Sequence, residues 1–279
     1  MNDSVAIIAC LKEEELYIRE WLDWHIKIGV DHFYLCDNND KDYEPKLQDV
    51  IQDYVDQGIV EIFDYSGVHP IQPFCYDDIF QRCKEIYDWW LVIDIDEFLV
   101  LPAFNDNLKE YISFIPNYVN MIYIMWRNYG DSGHLKYSDE PCMERFTIPD
   151  LNEYGGGQTC GKTLFRGSLN IEKIVSQHTI TRKFKKHNIF FYPIGINGSD
   201  NTKIDIYRLY KFIYNGVYLK HFRTKTLEEW SWRYKRGDTL RNNDDKNYPY
   251  KIHKFWNWNT KTPEREKYMK ELRKELNIE

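Results

Sequence analysis

The chain contains no apolar run long enough to cross a bilayer. Its longest hydrophobic stretches are strand-sized and broken by acids, as in 89-WWLVIDIDEFLVLP-102, short of the roughly 18–20 apolar residues that a spanning helix needs. The six cysteines, at 10, 36, 75, 83, 142 and 160, show neither CxxC nor zinc-type spacing, which excludes a zinc ribbon and favours reduced thiols. Glycine and proline number only 14 and 10, too few for a collagen-like or linker-dominated chain. The 155-GGG-157 stretch lacks a following Lys-Ser/Thr and is no P-loop; a lid or acceptor loop is the expectation there. The opening MNDSVAIIACLKEEE has no basic segment ahead of its apolar residues, so no signal peptide is expected. These absences lead to an expected cytoplasmic location.

What is present is ordinary in bulk and unusual in detail. At 279 residues, 43% hydrophobic and 29% charged, the chain buries about three quarters of its unfolded surface and needs no staple to fold. It carries 22 Tyr, 15 Phe and 9 Trp. Surplus aromatics suit sugar stacking or interfaces, although many fill the core. The net charge of −7 is unevenly spread: residues 1–110 hold 8 basic against 25 acidic groups, and residues 201–279 hold 19 against 11. The acidic half would repel nucleic acid, which is excluded as a main partner.

The periodicity predicts strands at 4–10, 32–36, 59–65 and 89–94, alternating with helices over 13–29, from Leu47 to Val55, and near 74–88. That alternation marks βαβ units and a mostly parallel α/β sheet. Beyond residue 100 it decays. A helix near 106–115, strands at 118–126, 144–148, 162–166 and 216–222, and a helix opened by the capping box Thr226-x-x-Glu229 are expected. A last helix begins at Thr262-Pro263.

In open α/β sheets, ligands bind beyond the carboxyl ends of the strands. The acids of the first half collect there: Glu13 and Glu14 after strand one, Asp37 after strand two, Asp94-Ile95-Asp96-Glu97 after the fourth. In an extended segment Asp94 and Asp96 face one side, and two converging carboxylates call for a cation or a proton between them. A hard divalent ion completes its shell with water and substrate phosphates, so a metal–diphosphate site is expected. The bland alternative has these acids capping helices or pairing with lysines.

The run 6-AIIACLKEEELYIREWLDWHIKIGVDHFYLCDNND-40 resembles the opening of family 2-type glycosyltransferases, in the branch shared with family 92. Lys12, Glu14, Tyr17, Glu20, Trp21, His25, Gly29, Val30, Phe33, Asp37 and Asn38 match that pattern. So do the D-x-D with Glu97-Phe98, 126-WRNYGDSGH-134, 144-ERF-146, 161-GKTLFR-166 with a later His178, and 221-HFRTKTLEEW…KRG-237. One departure is Glu13, where the family usually has Asn.

The resemblance implies a GT-A fold: a Rossmann-like, mostly parallel central sheet flanked by helices, with an irregular mixed acceptor-side second half. Residues 1–240 would form that domain (1–100 the nucleotide-binding half, 101–240 the acceptor side), and 241–279 a C-terminal helical extension. It implies transfer from a nucleotide sugar, UDP before other nucleotides, with inversion, onto a glycan or lipid-linked saccharide of a surface polysaccharide or glycoprotein. The nucleoside would lie against Cys10, Lys12, Glu14, Asp37, Asp94 and Ile95. Asp94, Asp96 and His221 would hold the metal, and a nitrogen ligand tilts the choice toward Mn2+ over Mg2+. Lys162, Arg166 and Lys225 are candidates to face the diphosphate.

For the general base that takes the acceptor's proton, Glu144 is the first candidate and Asp131 the second, with Glu153 and His134 in the same wall. Glu144 could instead pair with Arg127 or Arg145. Trp126, Tyr129 and Tyr154 could stack on a sugar or fill the core. The basic aromatic segments 230-WSWRYKRG-237 and 254-KFWNWNTK-261 suit peripheral contact at the inner face of a membrane. Two rivals stand beside the transferase: a haloacid-dehalogenase-type phosphohydrolase using Asp94 and Asp96, and a catalytically silent nucleotide- or sugar-binding protein.

Overall fold

The computed structural model describes residues 3–68, 71–150, 160–169, 171–176, 179–182, 215–237, 252–275 and 277. Strand β1 (Val5–Leu11) is buried along its whole length. Its side chains alternate between two apolar layers. Val5, Ile7, Ala9 and Leu11 enter one, and Ala6, Ile8 and Cys10 the other, so the run reads as continuously apolar. Parallel neighbours flank it: β2 (His32–Asp37) and β4 (Trp89–Val92), with β3 (Val60–Asp64) outside β2. Helices α1 (Glu15–Ile28) and α2 (Leu47–Asp56) cover the first layer, and α3 (Gln72–Cys83) covers the second.

Past β4 the sheet continues through β7 (Gly161–Arg166), β6 (Met121–Asn128), β10 (Tyr218–His221) and the edge strand β5 (Glu97–Val100). Strands β7 and β5 run against the other six. This is the expected GT-A class, a mostly parallel first half joined to a mixed second half. The strand β8 (Ile171–Ser176) pairs with β9 (Thr179–Arg182) as a separate hairpin that the sequence pattern did not announce.

Family-matched residues of α1 fasten the far edge of the sheet. The Trp21 indole donates to Glu97 O at 2.9 Å, and the Leu99 amide donates to His25 Nε2 at 3.3 Å. Trp24, outside the matched set, donates to Leu99 O at 2.7 Å. Edge strand β5 is therefore held by side chains from α1 as well as by β10.

Helix α4 (Leu108–Ser113) is shorter than the expected 106–115, because the Asn107 side chain accepts from Glu110 N and starts it late. The expected strand at 144–148 is absent. Pro141 opens a one-turn helix, α5 (Cys142–Arg145), whose first amides donate to the Glu20 carboxylate at 2.8 and 2.9 Å. Helix α6 (Leu227–Arg236) starts at the expected capping box, with both arms formed. Helix α7 (Pro263–Glu275) ends the described chain save for residue 277.

Glu13 follows β1 with φ of 52°, a left-handed conformation that Asn adopts far more readily than Glu. Burial also raises its carboxyl pKa, against the opposing charges of Arg236 and Lys12. Glu13→Asn is expected to stabilise the chain by about 0.5–1 kcal/mol, or about 2 °C in melting temperature. A lowered melting temperature would reject that account of the loop.

Candidate functional site

The carboxyl edge of the sheet gathers the site. Asp94–Glu97 is a turn between β4 and β5, closed by Glu97 N donating to Asp94 O at 3.1 Å. It is not the extended segment expected, and the two aspartates part company. Asp94 accepts from Gln72 at 3.0 Å and Tyr76 at 3.2 Å through Oδ1, and from Lys162 Nζ at 2.6 Å through Oδ2. Asp96 turns the other way, with Oδ1 3.6 Å from His221 Nε2 and Oδ2 2.8 Å from Arg233.

Strand direction decides who arrives. Because β7 is antiparallel, its first residues stand where its neighbours end. Lys162 enters the site fully buried, 3.2 Å from Glu97. Arg166, at the other end of β7, pairs with the start of β4 and lies over Trp89 at 4.2 Å. Its expected place at the diphosphate is thereby corrected: the two residues lie toward opposite ends of the six-residue strand.

Asp96, Glu97 and His221 each present one donor atom, all within 4.8 Å of one another and all buried. Asp94 is outside this trio and Glu97 within it. His221 places Nδ1 2.8 Å from Asn128 Oδ1, which puts the proton on Nδ1. Burial holds the imidazole neutral against the pull of Asp96. Two lone pairs, Nε2 and Asp96 Oδ1, then face each other in a buried space. Burial alone would raise the Asp96 carboxyl, but His221 when protonated, with Arg233 and Lys225, holds it well below its ordinary range. Burial pushes Glu97 well up despite Lys162, with Asp94 and Asp96 adding to the rise. Two carboxylates and an imidazole at this spacing are donors that a divalent cation takes, and the Asn128 contact supplies the outer support of a metal-binding imidazole.

A cleft of about 530 Å3 reaches the trio through Arg233 and is lined by Glu13, Glu14 and Tyr43 together with Lys225, Arg233 and Arg236. Here the acidic first half meets the basic tail. Arg236 donates to the carbonyls of Lys12 and Glu13 at 2.5 and 2.9 Å and pairs with the Glu14 carboxylate. Lys225 stands 3.6 Å from Glu14. Burial would raise Glu14, but Arg236 and Lys225 lower it. Lys225, like Glu13, sits at positive φ, 50°. Backbone strain of this kind collects at binding sites.

The remaining expected nucleoside residues divide. Lys12 pairs with Asp40 at 3.4 Å. Asp37 accepts from Asn39 N, and burial raises its carboxyl. Ile95 is buried in the main core. The Cys10 thiol turns away into the α3 layer beside Cys36 and Cys75. The sequence reading missed Glu97, Arg233 and Arg236 as site residues. The 97-EF-98 match was the available signal for Glu97 and the KRG match for Arg236; Arg233 lies outside both.

The two candidate bases are not brought to the trio by any described contact. Asp131 is buried, its Oδ1 accepting from Arg265 at 2.5 Å and from Gly133 N at 3.0 Å. Glu144 is exposed on α5, while its neighbour Arg145 pairs with Glu229. His134 meets Phe146 edge-on. Trp126 and Tyr129 are buried, Trp126 against His221 at 4.4 Å and Tyr129 against Phe222. Glu153, Tyr154, residues 155–157 and His178 lie outside the described residues. The late aromatics form a small core of their own: Leu227, Trp230, Ile252, Phe255, Met269 and Leu272. No helix among the described residues is long and apolar enough to cross a membrane.

Comparison with known proteins gives three findings. The family model described as Glycosyltransferase family 92 matches residues 5–256. A family 92 protein of Oryza sativa subsp. japonica is 27% identical over 119 residues, 38% of this chain and 18% of that protein. One of Ricinus communis is 27% identical over 137 residues, 47% of this chain and 23% of that protein. The match thus spans less than a quarter of either relative. Among solved structures, S. aureus TarS 1–349 overlaps at TM-score 0.37 and 17% identity, over 59% of this chain and 47% of that one. The apo WbbM bifunctional glycosyltransferase overlaps at TM-score 0.40 and 11% identity, over 92% and 52%.

Proposed function

The chain belongs to glycosyltransferase family 92, and from that premise we propose that it moves a sugar from a nucleotide sugar, a UDP-sugar first, onto a hydroxyl of a glycan or lipid-linked saccharide, with inversion. One observation carries the reading: the buried Asp96–Glu97–His221 trio is joined through Arg233 to a cleft, lined by basic and acidic side chains, beyond the carboxyl ends of the strands. Asp96, Glu97 and His221 would hold Mn2+, or Mg2+, and a bound divalent ion supplies Lewis-acid neutralisation of the departing diphosphate. Asp94 serves the site by fixing Lys162 beside Glu97.

The chain's own groups do the rest. Lys225 and Arg236 brace the loop after β1 that faces the nucleoside, and they line the wall available to phosphate oxygens. Of the expected bases, Glu144 keeps an accessible carboxylate, whereas Asp131 is engaged by Arg265. We assign Glu144 to take the acceptor's proton. Glu144→Gln is expected to cut turnover by roughly 10²–10⁴ with donor affinity unchanged; full turnover in that variant removes the assignment.

The phosphohydrolase reading fits poorly, because both oxygens of Asp94, its nucleophile, are occupied by Lys162, Gln72 and Tyr76. The test of the transferase is a thermal-shift titration with UDP, GDP, CDP and TDP, each with Mn2+ and with EDTA. Ligands that bind only the folded state raise the melting temperature. A shift with UDP that requires Mn2+ is expected. Equal melting temperatures in all eight conditions would overturn the donor site.

A further inference from the structure

Asp96 is 4% exposed, and both of its oxygens lie within 4 Å of a nitrogen-bearing side chain. A buried carboxylate needs a positive partner at all times, including before any metal arrives. That partner is Arg233, whose Nη1 stands 2.8 Å from Asp96 Oδ2 and 3.1 Å from Arg223 O. The Arg233 side chain is 22% exposed and also lines the cleft, so it has solvent on one side and the trio on the other.

Resting on the reading of Asp96, Glu97 and His221 as a cation site, we propose that Arg233 is a place-holding cation: it occupies Asp96 until that site fills, then turns into the cleft to meet the diphosphate. Three carboxylates, Asp94, Asp96 and Glu97, face Lys162 and Arg233. A divalent cation on Asp96 would bring positive charge beside Arg233, and a guanidinium on the same carboxylate would then stand beside a like charge. The open direction is the cleft, where a diphosphate offers the planar oxygen pairs that a guanidinium fits.

Helix α6 itself need not move. Its first turn is fixed by the Thr226–Glu229 capping box, and its last by Arg236 on the Lys12 and Glu13 carbonyls. Between those anchors only a side chain has to swing. The arrangement links the two ligands: each cation site filled releases one phosphate-binding group, so metal and nucleotide bind with positive coupling.

Calorimetric titration with Mn2+ alone, then with UDP at saturating Mn2+, tests this. Arg233→Met is expected to bind Mn2+ about tenfold more tightly than the parent without nucleotide, since its competitor is gone, and UDP about tenfold more weakly. A merely structural arginine would weaken both. Lys235→Met removes the same charge from the same helix and the same cleft but leaves the Arg233–Asp96 contact in place, and it is expected to leave Mn2+ affinity unchanged. Equal or weaker Mn2+ binding by Arg233→Met, or equal tightening by Lys235→Met, would overturn the place-holder. If Arg233→Met does not fold, Arg233→Lys is read in the same direction with a smaller change, and no tightening there overturns it too. A parent protein that binds no Mn2+ with or without UDP would instead sink the cation site on which the inference rests.

Discussion

Arg145→Leu is expected to destabilise the protein by about 3–5 kcal/mol at pH 7, the loss typical of leaving one member of a buried ion pair alone. The pair is bidentate, with both guanidinium nitrogens 3.0 Å from the Glu229 oxygens, and both residues are almost fully buried. Glu229 also accepts from Tyr17 at 2.9 Å and from the Thr226 amide. One carboxylate thus ties α1, α5 and α6 together across more than 200 residues of chain.

The pH dependence follows from the direction of the Glu229 shift. Burial alone would raise this carboxyl, but the Arg145 hydrogen bonds and the Lys225 charge bring it below its ordinary value. The pair's contribution is therefore complete above the unfolded Glu pKa of about 4.3 and is lost as pH falls through the lower folded value. In Arg145→Leu the same carboxyl, buried without its partner, shifts upward and can protonate. The urea midpoints of parent and variant should lie far apart at neutral pH and converge in acid. Arg145→Leu/Glu229→Gln should regain part of the loss, because the stranded charge is gone. Matching midpoints at pH 7 would show that the pair is not holding the three helices.

Much of the first half was legible because local and tertiary signals agree there. The run Val5–Leu11 is apolar on both faces and lies between two layers of helix; α1 is amphipathic and ends at Gly29, whose φ is 107°. The site was legible where sheet direction alone delivers a residue, as with Asp96 at the end of β4 and His221 at the end of β10. It was opaque where a reversed strand decides. Nothing local tells that β7 is antiparallel, so Lys162 and Arg166 looked equivalent although the strand carries them to opposite edges. The family-matched residues of α1 were visible but their purpose was not. Tyr17, Glu20, Trp21 and His25 all bind partners at least 74 positions away. Trp21 and His25 fasten edge strand β5, while Tyr17 and Glu20 reach α6 and α5, long-range contacts that periodicity cannot express.

Asp96→Asn is expected to abolish Mn2+-dependent nucleotide binding and to lower turnover by about 10³-fold or more, the several kcal/mol of charge stabilisation a catalytic cation supplies. The fold should survive this change better than it survives Arg145→Leu. Asn keeps the shape, and Arg233 is exposed enough to find water. Asp94→Asn separates the two aspartates that the sequence could not. Its carboxylate touches Lys162, Gln72 and Tyr76, so its loss acts through Lys162 on Glu97, and metal affinity should fall about 10–100-fold, as for outer-shell partners. Measured side by side, the two variants rank the site: Asp96 first, Asp94 second. A metal-dependent UDP shift that persists in Asp96→Asn, or one that vanishes equally in both, would reject the division of labour that the turn at Asp94–Glu97 imposes.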